Sequence, residues 1–195
     1  MKFLPVLVAL CTMAAPALSH CPDVRQDHTQ DTLILTRTDP FFEIRLSRDE
    51  NGTLTEMRSM AGGLDTRTTY LADIWATERT DDNGTLSLRY GGDPATLDLT
   101  EIGATLSLPV RLFADSAEMA KGSETKRVHD ETQMTIGDCT YDVMIILNML
   151  ELDGMRTGYS YSLYSPVLGL IIGNVVTDAD YTPVRSVFFD KLSHE

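Results

Sequence analysis

Apolar and polar residues alternate with a period of two through most of this chain, broken by turn residues, and this predicts antiparallel β-strands. In "FFEIRL" the alternation puts Phe42, Ile44 and Leu46 on one face. In "TLSLRY" it sets Leu86, Leu88 and Tyr90 against Thr85, Ser87 and Arg89, and "IGATLSLPV" aligns Ile102, Ala104, Leu106, Leu108 and Val110. Two similar turns, "DENGTL" and "DDNGTL", carry Asn51-Gly52 and Asn83-Gly84. Asn-Gly suits hairpin tips in which both central residues need positive φ. One short helix is expected over "FADSAEMAKG", with Asp115 as N-cap, Glu118 three residues on, and Lys121 and Gly122 closing it. The polar run "SETKRVHDETQ" after it reads as a loop leading into a strand.

The longest alternation is "TYDVMIILNMLELDGMRTGYSYSLYS", which reads as two strands joined at Asp153-Gly154. A two-residue loop there sets Leu152 opposite Met155 and fixes the remaining pairs. One face pairs Ile146 with Tyr161 and Met144 with Leu163. The other pairs Met149 with Gly158, Leu147 with Ser160 and Ile145 with Ser162, and Tyr164 stands at its end opposite Val143. Large aliphatics beside small residues would leave a recessed apolar strip. Ile145, Leu147, Met149, Gly158, Ser160, Ser162 and Tyr164 are therefore the candidate ligand groove; the plainer reading fills the strip with neighbouring strands as core. The fold expected is mainly β, a curved antiparallel sheet forming a half-barrel or sandwich, with one short α-helix.

The N-terminus has a different pattern. Lys2, the apolar run "FLPVLVALCTMAAPAL" and the small residues after it form a secretory signal over residues 1–19, too short to span a bilayer. Cleavage is expected after Ser19, or else after Ala17, leaving residues 20–195 as one exported β-rich domain, periplasmic or secreted. Bulky His20 precedes Cys21 where a lipoprotein signal needs a small residue, so a lipid anchor is disfavoured. Of three cysteines, Cys11 leaves with the signal, and Cys21 and Cys139 are expected to form a disulfide in an oxidising compartment. Sixteen Lys and Arg stand against 29 Asp and Glu, a formal net charge of −13. That balance argues against nucleic acid and against anionic membrane surfaces. No later segment is apolar for long enough to span a bilayer.

Candidate chemistry is sparse. Both Asn-Gly turns are also Asn-x-Thr sequons, without consequence in a bacterial periplasm but glycan candidates in a eukaryotic secretory path, and neither has the full ligand spacing of an EF-hand loop. No nucleophile elbow, His-Glu-x-x-His helix, Cys-x-x-Cys pair or phosphate loop is present, and no cofactor is expected. Met57 and Met60 could form a soft copper(I) pair, though thioethers more often serve packing. His20, once exposed as a new N-terminus, offers an amine and an imidazole to copper, with His28 or His129 as the second donor; His194 is terminal. The leading expectation is a non-enzymatic periplasmic protein that binds an apolar small molecule or lipid. The alternatives are a structural partner docking an envelope protein, and a copper-binding protein using His20.

The segment "YSPVLGLIIG", following a strand of the "CTYDVMII" type, resembles the closing strands of small Gram-negative periplasmic domains of unknown function. Those domains are similar to the open half-barrel of lipoprotein carriers, a curved antiparallel sheet around an apolar groove. The resemblance covers the last quarter of the chain and implies a role for Tyr164, Pro166 and Gly169. Read by themselves, Pro166 and Gly169 shape a strand-to-strand corner.

Overall fold

The computed structural model describes Cys21, Pro22 and residues 32–195, and among these the chain is mainly β. Thirteen strands form one open, curved antiparallel sheet. In chain order they are β1 (Leu33–Arg37), β2 (Phe42–Arg48), β3 (Leu54–Met60), β4 (Thr66–Leu71), β5 (Trp75–Asp81) and β6 (Gly84–Tyr90). A single 3-10 turn, Pro94–Thr96, precedes β7 (Thr105–Ala114), β8 (Ala117–Ile136), β9 (Cys139–Leu152), β10 (Gly158–Ser165), β11 (Leu170–Thr177), β12 (Pro183–Val187) and β13 (Lys191–His194). Each strand from β1 to β11 pairs with its successor, and β13 returns to pair with β1.

This order puts β12 and β13 on opposite edges of the sheet, although only residues 188–190 separate them. A link that short spans at most about 14 Å, so the sheet must curl until its edges approach each other. The link is fastened as well as short. Thr38, in the β1–β2 turn, donates its backbone N–H and its hydroxyl to the Asp190 carboxylate at 2.8 and 3.0 Å. The backbone hydrogen bond from Thr38 is the main cause that holds this carboxyl below its ordinary value of 3.8. A depressed carboxyl stabilises the fold above its ordinary pKa and loses that effect as the pH falls through its folded value. Hydrogen-exchange protection of the Thr38 amide should therefore drop selectively below about pH 4; protection unchanged down to pH 2 would show that the fastening is not carried by the carboxylate.

Curling creates two apolar clusters. The larger joins Leu33 and Leu35 of β1 and Phe42, Ile44 and Leu46 of β2 to Tyr141, Val143, Leu170 and Ile172 of β9 and β11. The smaller gathers Ile74, Trp75, Leu97, Leu108, Ile146 and Tyr164. Strand β9 serves both. Its buried positions are Cys139, Tyr141 and Val143, then Met144 and Ile146, so the alternation changes phase where both faces are covered. Cys139 is bonded to Cys21 with Cα atoms 5.6 Å apart, which fixes Cys21 against the larger cluster.

Three expectations are corrected. The helix over Asp115–Lys121 is absent: Asp115 and Ser116, with φ of 44° and 76°, are the two loop residues of the β7–β8 hairpin, and Ala117 onward is strand. So short a helix is marginal by itself, and pairing with β7 satisfies its backbone instead. The Asp115 carboxylate accepts the Thr85 amide at 2.9 Å rather than capping a helix. The polar run from Ser123 to Gln133 lies within the 20-residue strand β8 and is not a loop. Both Asn-Gly sites are hairpin tips, but only the glycines have positive φ, 80° at Gly52 and 135° at Gly84. The β5–β6 loop is Asp82-Asn83, enclosed by the pair Asp81 and Gly84.

The register of β9 with β10 is also displaced by one residue. Gly158, Ser160, Ser162 and Tyr164 lie opposite Leu150, Asn148, Ile146 and Met144. Tyr159, Tyr161 and Leu163 lie opposite Met149, Leu147 and Ile145. The cause is the turn: β9 continues to Leu152, paired with Gly122 of β8, while β10 begins only at Gly158. A one-residue slip reverses every facing relation.

Candidate functional site

A chain of polar side chains crosses the inside of the sheet from β6 to β11. The Tyr90 hydroxyl of β6 donates to the Glu124 carboxylate of β8. Lys126, two residues along β8 on the same face, donates to Glu124 and, at 2.9 Å, to Asn148 Oδ1 on β9. Asn148 Nδ2 donates to Ser162 Oγ on β10 at 2.9 Å, and Asn174 Nδ2 on β11 reaches the same oxygen at 3.3 Å. Glu124 and Lys126 are both buried, so each needs the other to offset desolvation. The Lys126 ammonium also lies 4.8 Å from the centre of the Trp75 ring, a cation–π contact in a low-dielectric setting. Burial first, then the Glu124 charge, push the Tyr90 hydroxyl far above its ordinary range, so it remains a donor.

The chain ends at a cavity. Asn174 is one wall residue of a space of about 170 Å³ between β2–β4 on one side and β11–β12 on the other. Its apolar surface comes from Phe42, Ile44, Leu46 and Leu54, faced by Ile171, Val176, Val187 and Phe189. The strand pairing explains why these side chains share the space: Ile44 and Leu46 are cross-strand partners of Arg58 and Glu56, and Val187 of Asn174.

Charged groups are set into the apolar wall. Buried Glu56 accepts a hydrogen bond from the Tyr70 hydroxyl at 3.1 Å and pairs with Arg58. Burial, and then the Glu56 charge, raise the Tyr70 hydroxyl far beyond its ordinary value, so it too stays protonated. At another part of the wall Asp73 pairs with Arg48 at 2.7 Å and accepts the Tyr164 hydroxyl at 3.4 Å. Arg48 donates further to the carbonyls of Gly52 and Gly169 at 3.2 and 2.9 Å. One guanidinium thus ties together the β2–β3, β4–β5 and β10–β11 turns. Gly169, with φ of 64°, closes the turn over 166–169 in which Pro166 also lies.

The sequence-derived groove is not assembled as one surface. Ile145, Leu147 and Met149 share a face with Tyr159, Tyr161 and Leu163, whereas Gly158, Ser160, Ser162 and Tyr164 lie on the opposite face. None of the seven lines the cavity, although Ser162 reaches its wall through Asn174 and Tyr164 through Asp73. The strip beside Ser160 and Ser162 is polar, because Asn148 Nδ2 lies 3.3 Å from Ser160 Oγ and 2.9 Å from Ser162 Oγ. Asn148, Glu56, Arg58, Glu124 and Lys126 were not marked by hydropathy. Their signal was position: each occupies an inward place in a period-two strand.

Met57 and Met60 are both exposed on β3, three residues apart and so on opposite faces. His129 is exposed with its ring 5.9 Å from that of Tyr161, and His194 is exposed on β13. His20, His28 and the signal segment with its cleavage positions lie outside the described residues. Among the described residues no group of three His, Cys, Asp or Glu side chains is placed to hold a metal ion, and no helix is long and apolar enough to cross a membrane. No protein family, curated protein or solved structure matches the chain, so function is read from the geometry.

Proposed function

We propose that this chain is an exported, non-enzymatic binding protein that holds a small apolar or amphipathic molecule inside its curved sheet. The observation that supports this reading is the cavity between β2–β4 and β11–β12, walled by Phe42, Ile44, Leu46, Leu54 and Val176 and held open by strands of one continuous sheet. The Cys21–Cys139 bond suits an oxidising compartment. Within the cavity both carboxylates are locked in ion pairs, an arrangement suited to shaping and orienting a guest rather than to transferring protons. Apolar burial alone then gives useful affinity.

The test is a homologous series of straight-chain alcohols titrated calorimetrically into the disulfide-bonded protein. Each additional buried methylene contributes about 0.8 kcal/mol, so affinity should rise roughly fourfold per carbon and level off when the cavity is full. Val176→Trp, placed in the wall, should abolish binding without loss of the folded state. A series that shows no binding, or one whose affinity is unchanged in Val176→Trp, defeats the proposal.

A further inference from the structure

We infer that the guest of this cavity is an anionic amphiphile, a single apolar chain ending in a carboxylate, and that Arg185 together with Arg58 selects it. The inference rests on the binding reading above and adds the chemistry of the head group.

A balance of the wall charges leads to it. Both acidic groups that face the cavity are already engaged: Glu56 by Arg58 and the Tyr70 hydroxyl, Asp73 by Arg48 and the Tyr164 hydroxyl. A second anion would not have to compete with them for cations, because donors remain. Arg185 of β12 lines the cavity, and among the described residues it has neither an ion-pair nor a hydrogen-bond partner. Arg58, in the opposite wall, has a buried Nε–H with no acceptor. A buried donor left without an acceptor is destabilising, and an acceptor on a bound guest would offset that cost. Asn174 adds an amide that spends one donor on Ser162.

Two of the unspent donors are guanidinium groups, and guanidinium recognises a carboxylate through paired N–H bonds at fixed geometry. The apolar surface contributed by Phe42, Ile44, Leu46 and Val187 leaves the rest of the guest no polar partner. A cationic head would meet Arg185 and Arg58 and be repelled. The uncompensated arginine is the more informative for its setting, a chain whose formal net charge is −13. The surrounding field opposes a soluble anion, so the apolar chain has to supply much of the affinity and the guanidinium groups the selection.

The experiment compares octanoate, octan-1-ol and octylammonium by calorimetry at pH 7 on the full disulfide-bonded chain. Octanoate is expected to bind about tenfold more tightly than octan-1-ol, and octylammonium more weakly than either. Arg185→Gln, a change at an exposed and unpaired side chain, should bring the affinity for octanoate down to that for octan-1-ol. Octan-1-ol equal to or tighter than octanoate overturns the anion inference while leaving the cavity reading intact. An octanoate advantage that survives Arg185→Gln overturns the role of Arg185. Failure of all three probes defeats both readings.

Discussion

Removing the disulfide by the double replacement Cys21→Ser and Cys139→Ser is expected to lower the unfolding free energy by about 4–5 kcal/mol, to be measured by urea denaturation against the unmodified chain. The size follows from the loop. The bond joins residues 118 apart in sequence, so it removes a large part of the freedom of the unfolded chain. Its place in the fold adds a native-state contribution. Cys21 packs against the larger apolar cluster, and the Pro22 carbonyl accepts the Tyr141 hydroxyl at 3.4 Å. The bond therefore fastens Cys21 to the first residue of β9, against the apolar cluster to which β1 and β2 contribute. The double serine variant avoids a lone reactive thiol, which would confuse the comparison. A loss below about 1 kcal/mol would mean that the unfolded chain is already compact enough to hold these ends together.

Short-range rules recovered much of this architecture. Alternation in Phe42, Ile44 and Leu46 and in Leu106, Leu108 and Val110 named strand faces that the fold keeps, because each of these strands has one core side and one outer side. The cysteine pair was readable for a different reason: an oxidising setting leaves two thiols few alternatives. What failed was information that alternation does not contain. The β9–β10 register depends on the residues between Leu152 and Gly158, and Asp153-Gly154 resembles a tight tip closely enough to hide a longer connection. β9 also changes its buried face at Val143 and Met144, so no single phase describes it. The run Ala117–Lys121 has good intrinsic helix formers, yet two adjacent positive-φ residues at Asp115 and Ser116 direct it back along β7. Tertiary pairing overrode propensity there.

The cavity was invisible for the same physical reason. Its walls come from strands far apart in sequence that meet only because residues 188–190 force the sheet to curl. Glu56, Arg58 and Arg185 look like ordinary surface charges when each strand is read separately. Only their placement on the inner face gives them chemistry. The run containing Glu124 and Lys126 resembles a loop only when charge is equated with exposure; its alternation with Ser123, Thr125 and Arg127 is strand-like.

Lys126→Met should therefore be among the most damaging single substitutions in the chain, with an expected loss of about 3–5 kcal/mol. Met retains much of the aliphatic stem against Trp75, so lost packing contributes little. The cost lies in what remains. Glu124 keeps its charge and its place inside the sheet, with the Tyr90 hydroxyl as its remaining polar side-chain partner, and Asn148 loses the donor that fills its Oδ1. Glu124→Gln on the Lys126→Met background separates this effect from general disruption. Neutralising the orphaned carboxylate should recover more than half of the loss, since a buried neutral amide costs far less than a buried unpaired charge. Urea unfolding of the two variants, followed through Trp75 fluorescence, gives both values. If the single variant loses less than about 1 kcal/mol, water reaches the pair and the chain from Tyr90 to Asn174 is not a closed interior network. If the double variant is no better than the single, the damage comes from packing around Trp75 and not from the stranded charge.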